Sequence, residues 1–173
     1  MTIERFGAVT LKGNPQTVRG EQLKVGDNAP AFTLTANDFS PVTLADSAGK
    51  VRLISVVPSL YTGICDAQTR RFNEEAASLG ENVVILTVSV DFPPSQRQWC
   101  GAAGVERVQT LSDHKDMSFG DAYGTHIVEN RWEQRSIFVV DAEDVVRYVE
   151  YVPEIAQHPD YEAALTAVRQ LAQ

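Results

Sequence analysis

Cysteine is scarce in this chain: 173 residues carry two, Cys65 and Cys100. Two thiols do not make a disulfide framework of the kind that staples small secreted folds, and a chain of this length can bury a core without one. No Cys-x-x-Cys is present, which argues against a dithiol oxidoreductase of the thioredoxin or isomerase kind. The three histidines, His114, His126 and His158, are scattered with no His-x-x-x-His spacing, so no metal is expected. Gly-x-Gly-x-x-Gly and the P-loop are both missing, and with them the usual signals for a nucleotide; no cofactor is expected. Positive charge is in short supply, with 15 Lys and Arg against 23 Asp and Glu and a net charge of −8. Such a chain is not drawn to nucleic acid or to an anionic membrane. Apolar runs such as Val83–Val90 fall far short of the ~20 residues a membrane helix needs. The opening MTIERFGAVT has no apolar h-region, so a cytoplasmic location is expected.

What is present centres on residues 51–80. Val51–Val57 is an apolar run of strand type, and Pro58 ends it because proline cannot donate to a sheet ladder. A small polar turn follows, Ser59 to Gly63. A helix is predicted from about Thr62 to Leu79, closed by Gly80. Cys65 falls in its first turn, where unpaired N–H groups and the positive end of the helix dipole are matched to a negatively charged sulfur. The plain alternative is two buried, inert thiols.

The rest of the chain supplies a frame. A loosely alternating stretch around Lys12-Gly13-Asn14-Pro15 predicts an N-terminal hairpin within about residues 1–25. Ala31–Thr35 and Val42–Leu44 read as short strands. Asn82–Asp91 is continuous and β-branched, as a strand covered on both faces would be. A helix is predicted from about Ser95 to Ala103, with Pro94 at its first position and Gly104 ending it. Val108–Leu111 reads as a strand, Lys115–Tyr123 as a helix capped by Gly124, and Arg135–Asp141 as a strand. Val145–Val152 alternates and is expected to run antiparallel to its predecessor. Asp160 opens a last helix with Leu165, Val168 and Leu171 on its core stripe. This order predicts an α/β fold of one domain, 1–173, with a central mixed sheet flanked by helices, a thioredoxin-like arrangement extended by the N-terminal hairpin.

Pro58, Thr62 and Cys65 form P-x-x-x-T-x-x-C at the strand-to-helix transition. That motif resembles the peroxidatic motif of the peroxiredoxins, and PSLYTGICDAQTRRFNEEA looks like the thiol peroxidase subfamily, the atypical two-cysteine peroxiredoxins. Gly13-Asn14-Pro15, Trp99-Cys100-Gly101, Asp121–Gly124, RSIFVVD and PDYEAAL extend the likeness over nearly the whole chain. The resemblance implies an enzyme reducing hydrogen peroxide and organic hydroperoxides to water and alcohols. In that scheme Cys65 attacks the peroxide, Thr62 faces the sulfur and Pro58 shields it. Arg135 matches the family's charge-stabilising arginine. Cys100 matches the resolving cysteine, forming an intramolecular Cys65–Cys100 disulfide recycled by thioredoxin, after local unwinding of one or both helix starts. A homodimer is implied, with neither nucleic acid nor membrane as a partner. For Thr62 the bland role is a helix N-cap, for Arg135 a surface arginine at a strand edge, with Arg131 as its competitor. Arg70 and Arg71 fit a solvated helix face, four residues before Glu74 and Glu75. Tyr61 stands where the subfamily usually has aspartate, adding bulk and removing a charge. The other function class compatible with these residues is a redox sensor or thiol relay built on the same pair.

Overall fold

The computed structural model describes residues 2–173. Its N-terminus is an antiparallel hairpin of β1 (Glu4–Leu11) and β2 (Asn14–Arg19). Then come β3 (Thr33–Thr35), β4 (Pro41–Thr43), a 3-10 turn at Leu44–Ser47, and β5 (Val51–Val56). The chain continues through α1 (Gly63–Leu79), β6 (Val83–Ser89), α2 (Pro93–Ala103), β7 (Gln109–Ser112) and α3 (Ser118–Tyr123). It ends with β8 (His126–Ile127), β9 (Trp132–Glu133), β10 (Ser136–Val140), β11 (Val146–Tyr151) and α4 (Tyr161–Leu171).

Seven strands form the main sheet in the order β11-β10-β5-β6-β7-β3-β4. β5, β6 and β7 run parallel and the others antiparallel, so the sheet is mixed. All six residues of β5 are buried, because both faces of the sheet are covered. Leu53 and Val57 pack on one face with α1, α2 and α4; Ile54 and Val56 pack on the other with Phe32, Phe119 and Tyr123. On α1, Phe72 and Leu79 anchor the middle and end of the helix in the core. Each large apolar side chain so buried contributes about 1.5–3 kcal/mol. In the first turn Cys65 is the one buried residue. α4 starts where the Asp160 carboxylate accepts the Ala163 N–H at 3.0 Å, a cap worth about 1 kcal/mol.

Two local expectations change, and two short strands are added. The helix predicted at Lys115–Tyr123 begins only at Ser118, because the Asp113 carboxylate takes the Phe119 and Gly120 N–H groups at 3.2 and 2.8 Å and fixes the start there. Helix α2 begins at Pro93 rather than Ser95, both prolines fitting a first turn that needs no N–H donors. The two-residue strands β8 and β9 are too short to leave an alternating pattern; they join the hairpin in a second sheet, β1-β2-β8-β9. Among the described residues no helix is long and apolar enough to cross a membrane.

Candidate active site

The site lies beyond the carboxyl end of β5, where open α/β sheets leave a crevice for ligands. Asp91, just past β6, gathers the turn there. Its carboxylate accepts the Ser59 hydroxyl at 2.8 Å, the Leu60 N–H at 2.7 Å and the Ser89 hydroxyl at 2.8 Å. Pro58 is buried at the base of this turn, and Thr62 is the N-cap residue of α1. The N-cap position read for Thr62 is occupied, but its hydroxyl makes no cap bond and instead donates to the Ser59 carbonyl at 3.2 Å. Its lone pairs are left for another donor. Cys65 follows in the first turn and is 0% exposed.

Arg135 sits immediately before β10 and is 2% exposed. Nε and Nη2 donate to the Ile155 carbonyl at 3.2 and 2.9 Å, and Nη1 donates to Gln68 Oε1 at 3.0 Å. Gln68 lies one turn after Cys65 on the same helix and donates in turn to the Ser55 hydroxyl at 2.7 Å. A guanidinium has five N–H donors, so these contacts leave two uncommitted. Among the described residues no carboxylate pairs with Arg135. The other fully buried arginine, Arg52, differs: it pairs with Asp144 at 2.7 Å and is a structural cation. A buried cation held only by neutral acceptors keeps its charge uncompensated within the fold.

The pocket in front of Arg135 has a volume of about 290 Å³ and is walled by Pro58, Thr62, Ile64, Trp132 and Ile155, with Leu11 of the hairpin at its rim. Burial pushes the Tyr161 phenol above its ordinary range, the Arg135 and Arg71 guanidiniums pull it down, and Cys65 pushes it up. Arg131 is elsewhere: it is exposed, has a φ of 52°, and donates to the Lys115 carbonyl at 3.3 Å. Cys100 is not in this pocket. It is half-buried on α2, 3.5 Å from the Thr110 hydroxyl, beside a groove bordered by Asn37 and Val105. Both thiols are free.

Several residues that build the site were not evident in the sequence. Gln68 is a polar residue on the buried face of α1, and that mismatch between position and polarity was its one signal. Asp91 is a lone acid directly after an apolar strand. Glu154 accepts the Lys12 and Gly13 N–H groups at 2.8 and 3.2 Å and the Thr10 hydroxyl. It thereby ties the hairpin to the loop whose Ile155 carbonyl holds Arg135. The Thr10 hydroxyl, followed by those backbone donors, holds the Glu154 carboxyl down at about 2. Beside α3, Glu133 is fully buried next to Asp113 and accepts the Thr125 hydroxyl. Burial, then the Asp113 charge, keeps Glu133 protonated well above the usual carboxylate range. Arg70 and Arg71 are not simply solvated. Arg70 pairs with Asp66 and lies over Trp99, and Arg71 pairs with Glu75 and Glu162 and lies over Tyr161. Among the described residues no group of His, Cys, Asp and Glu could hold a metal ion.

This geometry can be set beside known proteins. The Redoxin family profile matches residues 24–165. A thiol peroxidase of Halalkalibacterium halodurans is 61% identical over 164 residues, 95% of this chain and 98% of that protein. A thiol peroxidase of Bacillus subtilis is 53% identical over 163 residues, 94% of this chain and 97% of that protein. The crystal structure of a peroxiredoxin-like protein from Aquifex aeolicus superposes with a TM-score of 0.89 at 35% identity, covering 96% of this chain and 98% of that one. The mixed sheet and its flanking helices are thus the thioredoxin-like arrangement read from the order of elements. The chain belongs to the Redoxin family and, within it, to the thiol peroxidases, enzymes of the peroxiredoxin type.

Proposed function

We propose that Cys65 is the peroxidatic cysteine and that the pocket bounded by Pro58, Thr62 and Arg135 receives the peroxide. A peroxiredoxin-type peroxidase takes a peroxide and a thiol reductant. Here the Cys65 thiolate attacks one peroxide oxygen; the S–O bond forms as the O–O bond breaks, and the leaving oxide departs with a proton as water or an alcohol. The observation that carries this reading is the buried Arg135, with no carboxylate partner and with Gln68 of the cysteine's own helix as one of its props. Its two free N–H groups suit the oxygens of the peroxide and the charge that develops as the bond breaks. The Thr62 lone pairs suit the peroxide hydrogen. Apolar walls from Ile64, Trp132 and Ile155 fit an organic hydroperoxide as well as hydrogen peroxide.

Cys100 then resolves the sulfenic acid within the same chain, and thioredoxin reduces the disulfide. A homodimer in the cytoplasm, with the whole of 1–173 acting as one domain, is part of this reading. Cys65→Ser should abolish peroxide consumption; retained turnover would sink the assignment. Cys100→Ser should give one stoichiometric burst and no cycling with thioredoxin and its reductase; undiminished cycling would mean another resolving thiol. Loss of NADPH with neither hydrogen peroxide nor a bulky alkyl hydroperoxide would favour the thiol-relay reading.

A further inference from the structure

Helix α2 carries Cys100, and it is fastened to the front of α1 at three points. The Tyr61 hydroxyl donates to the Ser95 carbonyl at 2.7 Å, Trp99 Nε1 to Asp66 Oδ1 at 3.2 Å, and Arg70 Nη1 to the Ala103 carbonyl at 3.2 Å. Ser95, Trp99 and Ala103 are spaced four apart, so the contacts run along one stripe of α2. The middle contact is reinforced. Asp66 also takes Arg70 Nε at 2.7 Å, and the Arg70 guanidinium lies 5.8 Å over the Trp99 ring. That contact joins the residue after Cys65 to the residue before Cys100.

Neighbouring side chains on a helix do not face the same way. While Trp99 is held against Asp66, Cys100 is turned toward Thr110 on β7, and Cys65 is fully buried. A disulfide needs the two Cα atoms within roughly 4.4–6.8 Å and the Cβ vectors aimed at each other. Bringing Cys100 round means turning or fraying α2, and either movement breaks the Trp99–Asp66 bond.

We propose that Asp66, Arg70 and Trp99 are positioning residues for the resolving step: they clasp α2 to α1 and set how fast Cys100 reaches the oxidised Cys65. This rests on the two-cysteine reading above. In the step itself the Cys100 thiolate attacks the Cys65 sulfenic sulfur. The S–S bond forms as the S–O bond breaks, and hydroxide leaves with a proton as water, so Cys100 supplies the electrons that reduce the sulfenic sulfur. As long as the clasp is closed, the sulfenic acid waits, and a second peroxide can carry it to the sulfinic acid. Clasp strength thus trades resolution against over-oxidation. Tyr61 fits the same scheme: at the position noted for its departure from the subfamily, its hydroxyl supplies the outermost fastening.

The test uses Trp99→Phe, which keeps an aromatic ring in the core and removes the indole N–H, and Arg70→Gln at a half-exposed side chain. Each protein is mixed with one equivalent of hydrogen peroxide, quenched, and read by mass spectrometry for disulfide; sulfinic acid is read at excess peroxide. Disulfide formation should be about three- to tenfold faster in both variants, the loss expected for a partly exposed charge-assisted hydrogen bond. The sulfinic yield should fall, and the rate of peroxide loss in the first turnover should stay as in the parent. In an Asp66→Ala background, Trp99→Phe should add little, because the shared bond is already gone. If Trp99→Phe does not fold, Arg70→Gln carries the test. Disulfide formation unchanged or slower in the folded variants overturns the clasp and leaves the two-cysteine reading intact. A parent protein that forms no Cys65–Cys100 disulfide overturns both, and this is seen before any variant is made.

Discussion

Gln68 is where the role proposed for Arg135 can be probed without removing the guanidinium. Gln68→Met keeps the length of the side chain and deletes the carbonyl that accepts Arg135 Nη1 at 3.0 Å. It also leaves the Ser55 hydroxyl without its 2.7 Å donor. Both groups are buried, so a charge-assisted hydrogen bond worth about 1.5–3 kcal/mol is lost without water to replace it. Two bonds to the Ile155 carbonyl remain, so Arg135 stays in place with a looser orientation. If that orientation is needed as the O–O bond breaks, the same energy appears in the barrier, and the oxidation of Cys65 slows about tenfold to a hundredfold. The measurement is single-turnover peroxide loss without reductant, beside Arg135→Ala as the larger defect. Gln68→Glu separates shape from charge. A carboxylate there grips Arg135 more firmly yet offsets its positive charge, so it should be at least as slow as Gln68→Met. A Gln68→Met rate within about twofold of the parent would refute the positioning role, and a Gln68→Glu rate equal to the parent would show that the charge of Arg135 is not what the reaction uses.

Two further predictions concern pH. Glu154 is held at about 2 against an ordinary value of 4.5, so its hold on the hairpin is complete above pH 4.5 and is lost as pH falls toward 2. The amide resonances of Lys12 and Gly13 should titrate near that lower value; a midpoint at 4.5 would refute it. Glu133 is displaced the other way. Its folded value is raised above 4.5, so its contribution to stability is complete below that pH and is lost as the pH rises and the buried acid is driven to ionise. Glu133→Gln keeps the shape and cannot ionise. Unfolding free energies from urea titrations at about pH 5 and about pH 9 should fall with pH in the parent and much less in the variant, by up to about 1.4 kcal/mol per pH unit of difference. Equal slopes would mean that Glu133 ionises freely in the fold.

The chain's own pattern determined the strand-turn-helix unit, because each part is local. A β-branched run, a proline that cannot pair, a short polar turn and a capping glycine act within a few residues of one another. It determined the mixed sheet for the same reason: parallel strands need helical crossovers and an antiparallel pair needs a tight turn, and both spacings can be counted. The N-terminal register of α1, and so the place of Cys65 in its first turn, followed from these local rules. What the fold alone decided depends on residues far apart in sequence. Arg52 and Arg135 look alike in the sequence, each a lone cation at or beside an apolar strand. Tertiary structure gives one of them Asp144 and the other only the neutral oxygens of Gln68 and Ile155. The meeting of Asp91 with Ser59, of Glu154 with the hairpin, and of Asp66 with Trp99 is likewise fixed by packing between elements, to which no spacing along the chain corresponds. The sequence could thus place a thiol at a helix start; the electrostatics around that thiol and the fastening of Cys100's helix are properties of contacts that exist only once the sheet has brought α1, α2 and β10 together.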